Sequence, residues 1–223
     1  MDILEVMNKR HSVRSYTDKK IDENIKEELQ KVIDECNMEG NMHIQLCIDE
    51  PKAFSGFMAN YGKFKNVRNY IAIVGKKGKD LEERGGYYGE KVLLKAVQLG
   101  LNTCWVALTY SKSKTLCHID KGEKLCCVIA IGYGETSGIS HKTKSIEELC
   151  SVKGEMPQWF KKGMEAVQLA PTAMNQQKFL ITLNGNLVGA KALSGFYTKL
   201  DLGIVKYHFE IAAGSSGWKW DIE

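Results

Sequence analysis

The chain has 223 residues, of which 43% are hydrophobic and 26% charged, and its net charge is +4. That length and balance suit a single folded domain over 1–223 and exclude a disordered chain. The mild charge is spread along the chain, with Lys and Glu interleaved. It lacks the basic stripe of a nucleic-acid binder, and no run approaches the roughly 20 apolar residues that span a bilayer.

In chain order, Ile3, Leu4, Val6 and Met7 predict a short helix over 2–9. The basic cluster RHSVR follows. Asp22 is placed to cap a helix to about Asn37, in which Ile25, Leu29, Val32, Ile33 and Cys36 recur at helical spacing. HIQLCID alternates Ile44, Leu46 and Ile48, which predicts a half-buried strand over 43–49. Residues 50–68 are turn-rich. NYIAIVG (69–75) is a continuous β-branched run, so an interior strand, and 76–83 reads as a charged loop.

From Gly85, Tyr88, Val92, Ala96 and Leu99 form a helical stripe that Leu93 and Val97 widen, and Gly100 sits where the helix would end. TCWVAL (103–108) and LCCVIAIG (125–132) read as buried strands, and the Gly/Ser-rich stretch 132–145 as a surface loop. Pro157 opens a helix that Ala170-Pro171 stops. A strand over 179–185 turns at Asn184-Gly185, and a last helix over 202–214 closes at Gly214. Helices and strands intermix without the regular alternation of a doubly wound sheet, so the expected class is α+β.

The cysteines are Cys36, Cys47, Cys104, Cys117, Cys126, Cys127 and Cys150. Their number is odd, no pair has C-x-x-C spacing, and most sit in apolar runs. Free buried thiols are expected, with no metal site of zinc-ligand spacing. Reduced thiols and the absence of an apolar leader-like run after Met1 point to the cytoplasm.

Three clusters could carry chemistry. In an extended stretch Arg10, Ser12 and Arg14 point to one side, with His11 between them, and would converge on one anion. An exposed basic turn is the competing reading. APTAMNQQKF places Pro171, Thr172, Ala173, Met174, Asn175 and Gln177 between a helix and a strand. The two amides could read the polar edge of a planar heterocycle, or belong to an ordinary loop. His141, Lys142 and Lys144 lie after the 125–132 strand, where a Lys could add charge to a phosphate site or simply be solvated. His208, on an apolar helical face, reads as a packed core residue.

Together these blocks resemble the FMN-dependent nitroreductase family. R-x-S-x-R is present as Arg10, Ser12 and Arg14, and the P-S-x-x-N-x-Q-P-W loop is approximated by Pro171, Thr172, Asn175, Gln177 and Phe179. GEKVLLKAVQLGLNTCWVAL is similar to the family's central helix and the strand after it, and LCCVIAIGYGE followed by HKTKS to its strand and basic loop. In ordinary members the loop motif follows the first long helix, where this chain has NMEGNMHIQL. Its place at 170–179 resembles a divergent branch labelled "putative TM nitroreductase". A transmembrane sense of that label does not suit this hydropathy.

The resemblance implies a nitroreductase-like FMN-binding sandwich, its antiparallel or mixed central sheet flanked by helices, and a homodimer. Arg10, Ser12 and Arg14, flanked by His11, would hold the FMN phosphate and ribityl chain, with Lys142 or Lys144 completing the charge. Pro171, Thr172, Ala173, Met174, Asn175 and Gln177 would form the loop at the ribityl chain and the isoalloxazine edge. Backbone near Ala107 and Leu108 would face the flavin. NADH or NADPH would be a transient donor and a nitroaromatic, quinone or other small molecule the acceptor. No side chain is assigned as catalytic, because the chemistry would be the flavin's. A flavin store or redox sensor without turnover is the alternative.

Overall fold

The computed structural model describes residues 2–215 and 217–221; Met1, Ser216, Ile222 and Glu223 lie outside the described residues. In chain order the main elements are α1 (Ile3–Lys9), α2 (Glu23–Gly40), β1 (Gln45–Cys47), α3 (Phe57–Tyr61), β2 (Asn69–Lys76), α4 (Leu81–Gln98), β3 (Asn102–Val106) and β4 (Glu123–Gly132). They continue with α5 (Ile146–Leu149), β5 (Cys150–Lys153), α6 (Gln158–Val167), β6 (Phe179–Asn184), β7 (Leu187–Ala192), α7 (Thr198–Ala213) and β8 (Lys219–Trp220). The chain divides into two compact units. Unit I comprises Lys9–Leu81 and Lys91–Ser140; unit II comprises Met1–Asn8, Glu82–Glu90 and His141–Glu223.

Unit I holds an antiparallel sheet in the order β1-β2-β4-β3. Tyr70–Val74 of β2 and Cys127–Ala130 of β4 are fully buried, which a strand without polar alternation requires on both faces. Their ladder runs from Asn69↔Ile131 to Lys76↔Glu123, with an irregularity at Ile73/Val74. Helix α2 buries Leu29, Ile33 and Cys36. It runs on to Gly40, where Asn41 takes the left-handed conformation and returns its N–H to the Asn37 carbonyl. Of the strand expected over 43–49, only Gln45–Cys47 is a named strand, paired with β2.

Unit II holds a mixed sheet in the order β5-β6-β7-β8, parallel at β5/β6 and β7/β8 and antiparallel at the β6/β7 hairpin. Helices α6 and α7 pack through Phe160 and Phe209, whose ring centroids are 5.4 Å apart. The first half of α4 crosses α7 so closely that a Cβ at Gly86 would collide with the Leu200 carbonyl. α4 begins at Leu81 rather than Gly85, since Leu81 is itself buried, and α7 begins at Thr198 for the same reason. The fold is α+β, with its strands in one antiparallel and one mixed sheet. None of the seven cysteines is in a disulfide, and five of them are buried.

Candidate functional site

The segment after α1 is extended and pinned on both sides. Ser12 bridges Thr103 of β3, and the Val13 N–H donates to the Thr103 carbonyl at 3.0 Å. The Tyr16 and Lys65 N–H groups donate to the Lys65 and Arg14 carbonyls at 3.1 and 2.9 Å, and the buried Tyr16 hydroxyl donates to the Val13 carbonyl at 2.8 Å. Val13 and Tyr16 belong to the core. Arg10 is only 5% exposed, Ser12 and His11 are half-buried, and Arg14 is exposed with its guanidinium 6.0 Å from the Phe64 ring centroid.

Arg10, Ser12 and Arg14 each act on the buried Cys104 thiol. Burial drives the Cys104 thiol pKa up, while the Arg14 charge, a hydrogen bond with Ser12 and the Arg10 charge pull it down. The 133–140 loop closes over the segment: a Cβ at Gly138, where φ is +75°, would lie 2.7 Å from His11 Cβ. The Thr103 hydroxyl beside this segment is buried with no hydrogen-bond partner. Ala107 and Leu108 follow β3 in the same unit, Leu108 exposed.

In unit II, residues 171–177 form a strained turn. Met174, Asn175 and Gln177 have φ of 54°, 53° and 47°, although none is glycine. The Gln177 N–H donates to Thr172 Oγ1 at 3.1 Å, and the Asn175 N–H to the Thr172 carbonyl at 2.9 Å. Gln177 is buried and its amide is taken up locally. Its Oε1 accepts from the Lys144 N–H at 2.9 Å, and its Nε2 donates to the Lys142 carbonyl at 3.0 Å. Asn175 Nδ2 also donates to the Lys142 carbonyl, at 2.8 Å, and Lys144 Nζ donates to the Gln177 carbonyl at 3.3 Å. Lys142, Lys144, Thr172, Asn175 and Gln177 therefore form one cluster. Pro171 and Ala173 are half-buried, and Met174 is 90% exposed at the tip.

Sequence reasoning missed the anchor of this turn. Asp201, in the first turn of α7 and 2% exposed, accepts from the Ala173 N–H at 2.9 Å through Oδ1 and from Gln176 Nε2 at 3.0 Å through Oδ2. Burial pushes its carboxyl up to about 6, with the two hydrogen bonds opposing the shift. A lone acid near the start of a strongly apolar helix was the available signal. His208 is fully buried; Nδ1 meets the Ala166 carbonyl and Nε2 meets Glu90 Oε1, each at 3.0 Å.

A family model described as "Putative TM nitroreductase" matches residues 2–213. The chain belongs to this nitroreductase family. Among solved structures, this nitroreductase-family chain is similar to a "putative nitroreductase" from Thermotoga maritima. The two are 23% identical with a TM-score of 0.67, covering 95% of this chain and 83% of that one. A "putative nitroreductase in complex with FMN" from Desulfovibrio desulfuricans is 18% identical with a TM-score of 0.55, covering 70% and 99%. A nitroreductase family protein from Streptococcus pneumoniae is 14% identical with a TM-score of 0.51, covering 66% and 98%. At these identities the likeness is one of fold. No curated protein matches the chain. Among the described residues, no helix is long and apolar enough to cross a membrane.

Proposed function

We propose that this chain is an FMN-dependent oxidoreductase that takes electrons from NADH or NADPH and reduces a small acceptor such as a nitroaromatic or a quinone. The observation that carries the reading is the R-x-S-x-R stretch, extended and pinned against β3 with Arg10 buried and Arg14 exposed on either side of Ser12, in a member of the nitroreductase family. The donor chemistry fits FMN. Two guanidiniums and a hydroxyl suit a phosphate, and the unsatisfied Thr103 hydroxyl adds a polar atom beside them.

In this reading Arg10, Ser12 and Arg14 hold the phosphate and the lower ribityl chain, with His11 beside them, and Lys142 or Lys144 adds charge. Asn175 and Thr172 meet the ribityl chain and the ring edge. Gln177 acts by shaping that loop, because it is buried and both ends of its amide bond the 142–144 segment. Pro171, Ala173 and the exposed Met174 complete the loop, and backbone at Ala107 and Leu108 faces the ring. When bound, FMN supplies hydride acceptance from a reduced nicotinamide and delivery of reducing equivalents to the acceptor. We further propose a single cytoplasmic domain working as a homodimer.

The test is the visible absorption spectrum of the purified protein, with the released chromophore identified by mass, followed by NAD(P)H consumption with an added quinone. A yellow protein that releases FMN and consumes NAD(P)H supports the reading. FMN that NAD(P)H never reduces leaves a flavin carrier. A colourless protein that takes up no added FMN overturns both.

A further inference from the structure

We propose a second site, independent of any flavin, in which His43, Asp120 and Glu123 bind one first-row divalent cation of the zinc class. The three residues are up to 80 positions apart in sequence, so ligand spacing cannot reveal them. In the fold their donor atoms all lie within 4.8 Å of one another.

The sheet brings them together. His43 precedes edge strand β1, and its N–H donates to the Val74 carbonyl of β2 at 2.9 Å. Glu123 opens β4, on the other side of β2 in the strand order. Both segments are fixed before any ion arrives. The Asn37 side chain grips residue 44 through its N–H and its carbonyl, at 2.6 and 2.9 Å. The 120–123 turn is closed twice: the Glu123 N–H donates to the Asp120 carbonyl, and the Asp120 N–H donates to Glu123 Oε2, each at 2.9 Å.

His43 Nδ1 already sits 2.8 Å from Glu123 Oε2. Lys76 lies opposite Glu123 in the ladder, yet the carboxylate is bonded to the imidazole. Two ligands on one zinc-sized ion at about 2.1 Å lie roughly 3.4 Å apart, so the His43–Glu123 pair opens by about 0.6 Å and any wider pair closes by at most about 1.4 Å. Metal binding displaces the proton shared between His43 and Glu123. A neutral imidazole and two carboxylates then balance a divalent charge, and the nitrogen donor favours zinc-class ions over Mg²⁺ or Ca²⁺. His118 Nε2 stands 2.9 Å from Asp120 Oδ1, with its ring centroid 6.1 Å from that of His43, and acts as the outer partner that orients this carboxylate. The ion would tie the start of the short edge strand to β4.

The experiment is calorimetric titration of Zn²⁺ into the tag-free, EDTA-treated full chain, carrying whatever flavin it was purified with, alongside a melting scan. One equivalent should bind with a Kd in the micromolar range or below and raise Tm. His43→Gln and Glu123→Gln should abolish that equivalent. His118→Ala, at an exposed position that does not threaten folding, should weaken it about 10–100-fold. The absence of saturable binding overturns the proposal. So does a single equivalent that survives in both His43→Gln and Glu123→Gln, since the ion would then sit elsewhere. Neither outcome depends on whether the protein is yellow.

Discussion

Asp201→Asn tests the energetics of the 171–177 turn. The carboxyl has an ordinary value of 3.8 and is pushed up to about 6 when folded. Between those values the folded state holds a proton that the unfolded state has lost. This group therefore favours folding fully only below about pH 4, and its contribution is lost as pH rises to about 6. That displacement corresponds to ~3 kcal/mol of ionisation cost at neutral pH. Of this, ~2 kcal/mol should appear between about pH 4.5 and about pH 7.5. Asparagine removes the ionisation, keeps an oxygen for the Ala173 N–H and forfeits the bond from Gln176, at about 1–2 kcal/mol. The variant should be more stable than wild type by about 1–2 kcal/mol at about pH 7.5 and equal to it, or less stable, at about pH 4.5. Urea unfolding midpoints of both proteins across this range are the assay. A variant destabilised by the same amount at every pH would refute the burial argument.

Arg14→Ala removes a charge-assisted contact of about 1.5–3 kcal/mol, so Kd for FMN should rise about 10–150-fold. Full FMN occupancy after extensive dialysis of this variant would show that Arg14 is not a phosphate ligand. In the buried His208–Glu90 pair, Nδ1 donates to the Ala166 carbonyl and Nε2 meets the Glu90 carboxyl. His208→Ala removes one partner of a buried carboxyl and should cost about 3–5 kcal/mol by urea unfolding. The double replacement His208→Leu with Glu90→Met should cost less than either change alone, and additivity of the two would count against a coupled pair.

Strands β2, β3 and β4 were legible because continuous β-branched and small apolar residues have no other packed solution. Strands β5 and β7 were not. CSVK is too short to show a period, and LVGAKA carries a glycine and a lysine that read as loop. The two compact units were invisible for a related reason. α4 is one uninterrupted amphipathic helix whose first half belongs to unit II and second half to unit I, so no composition break marks the boundary. At the candidate site, the extended R-x-S-x-R stretch could be read directly, because its geometry is local. The Asp201 anchor could not, because it acts across 25 and 28 residues.

The 171–177 turn departs from what stability alone would select, in two independent ways. Three non-glycine residues there hold left-handed backbone conformations, where asparagine is tolerated and methionine and glutamine are not favoured. The carboxylate that fixes the turn is buried at a cost in ionisation. Neither cost is repaid by burying Met174, which is 90% exposed. A glycine at 174 and an asparagine at 201 would relieve both. Local rules broken together at one exposed turn, in a chain whose strands and helices otherwise obey them, are expected where a ligand rather than the fold sets the requirement. On that ground the exposed Met174 and Asn175 are a better place to seek a flavin contact than Gln177, which is buried.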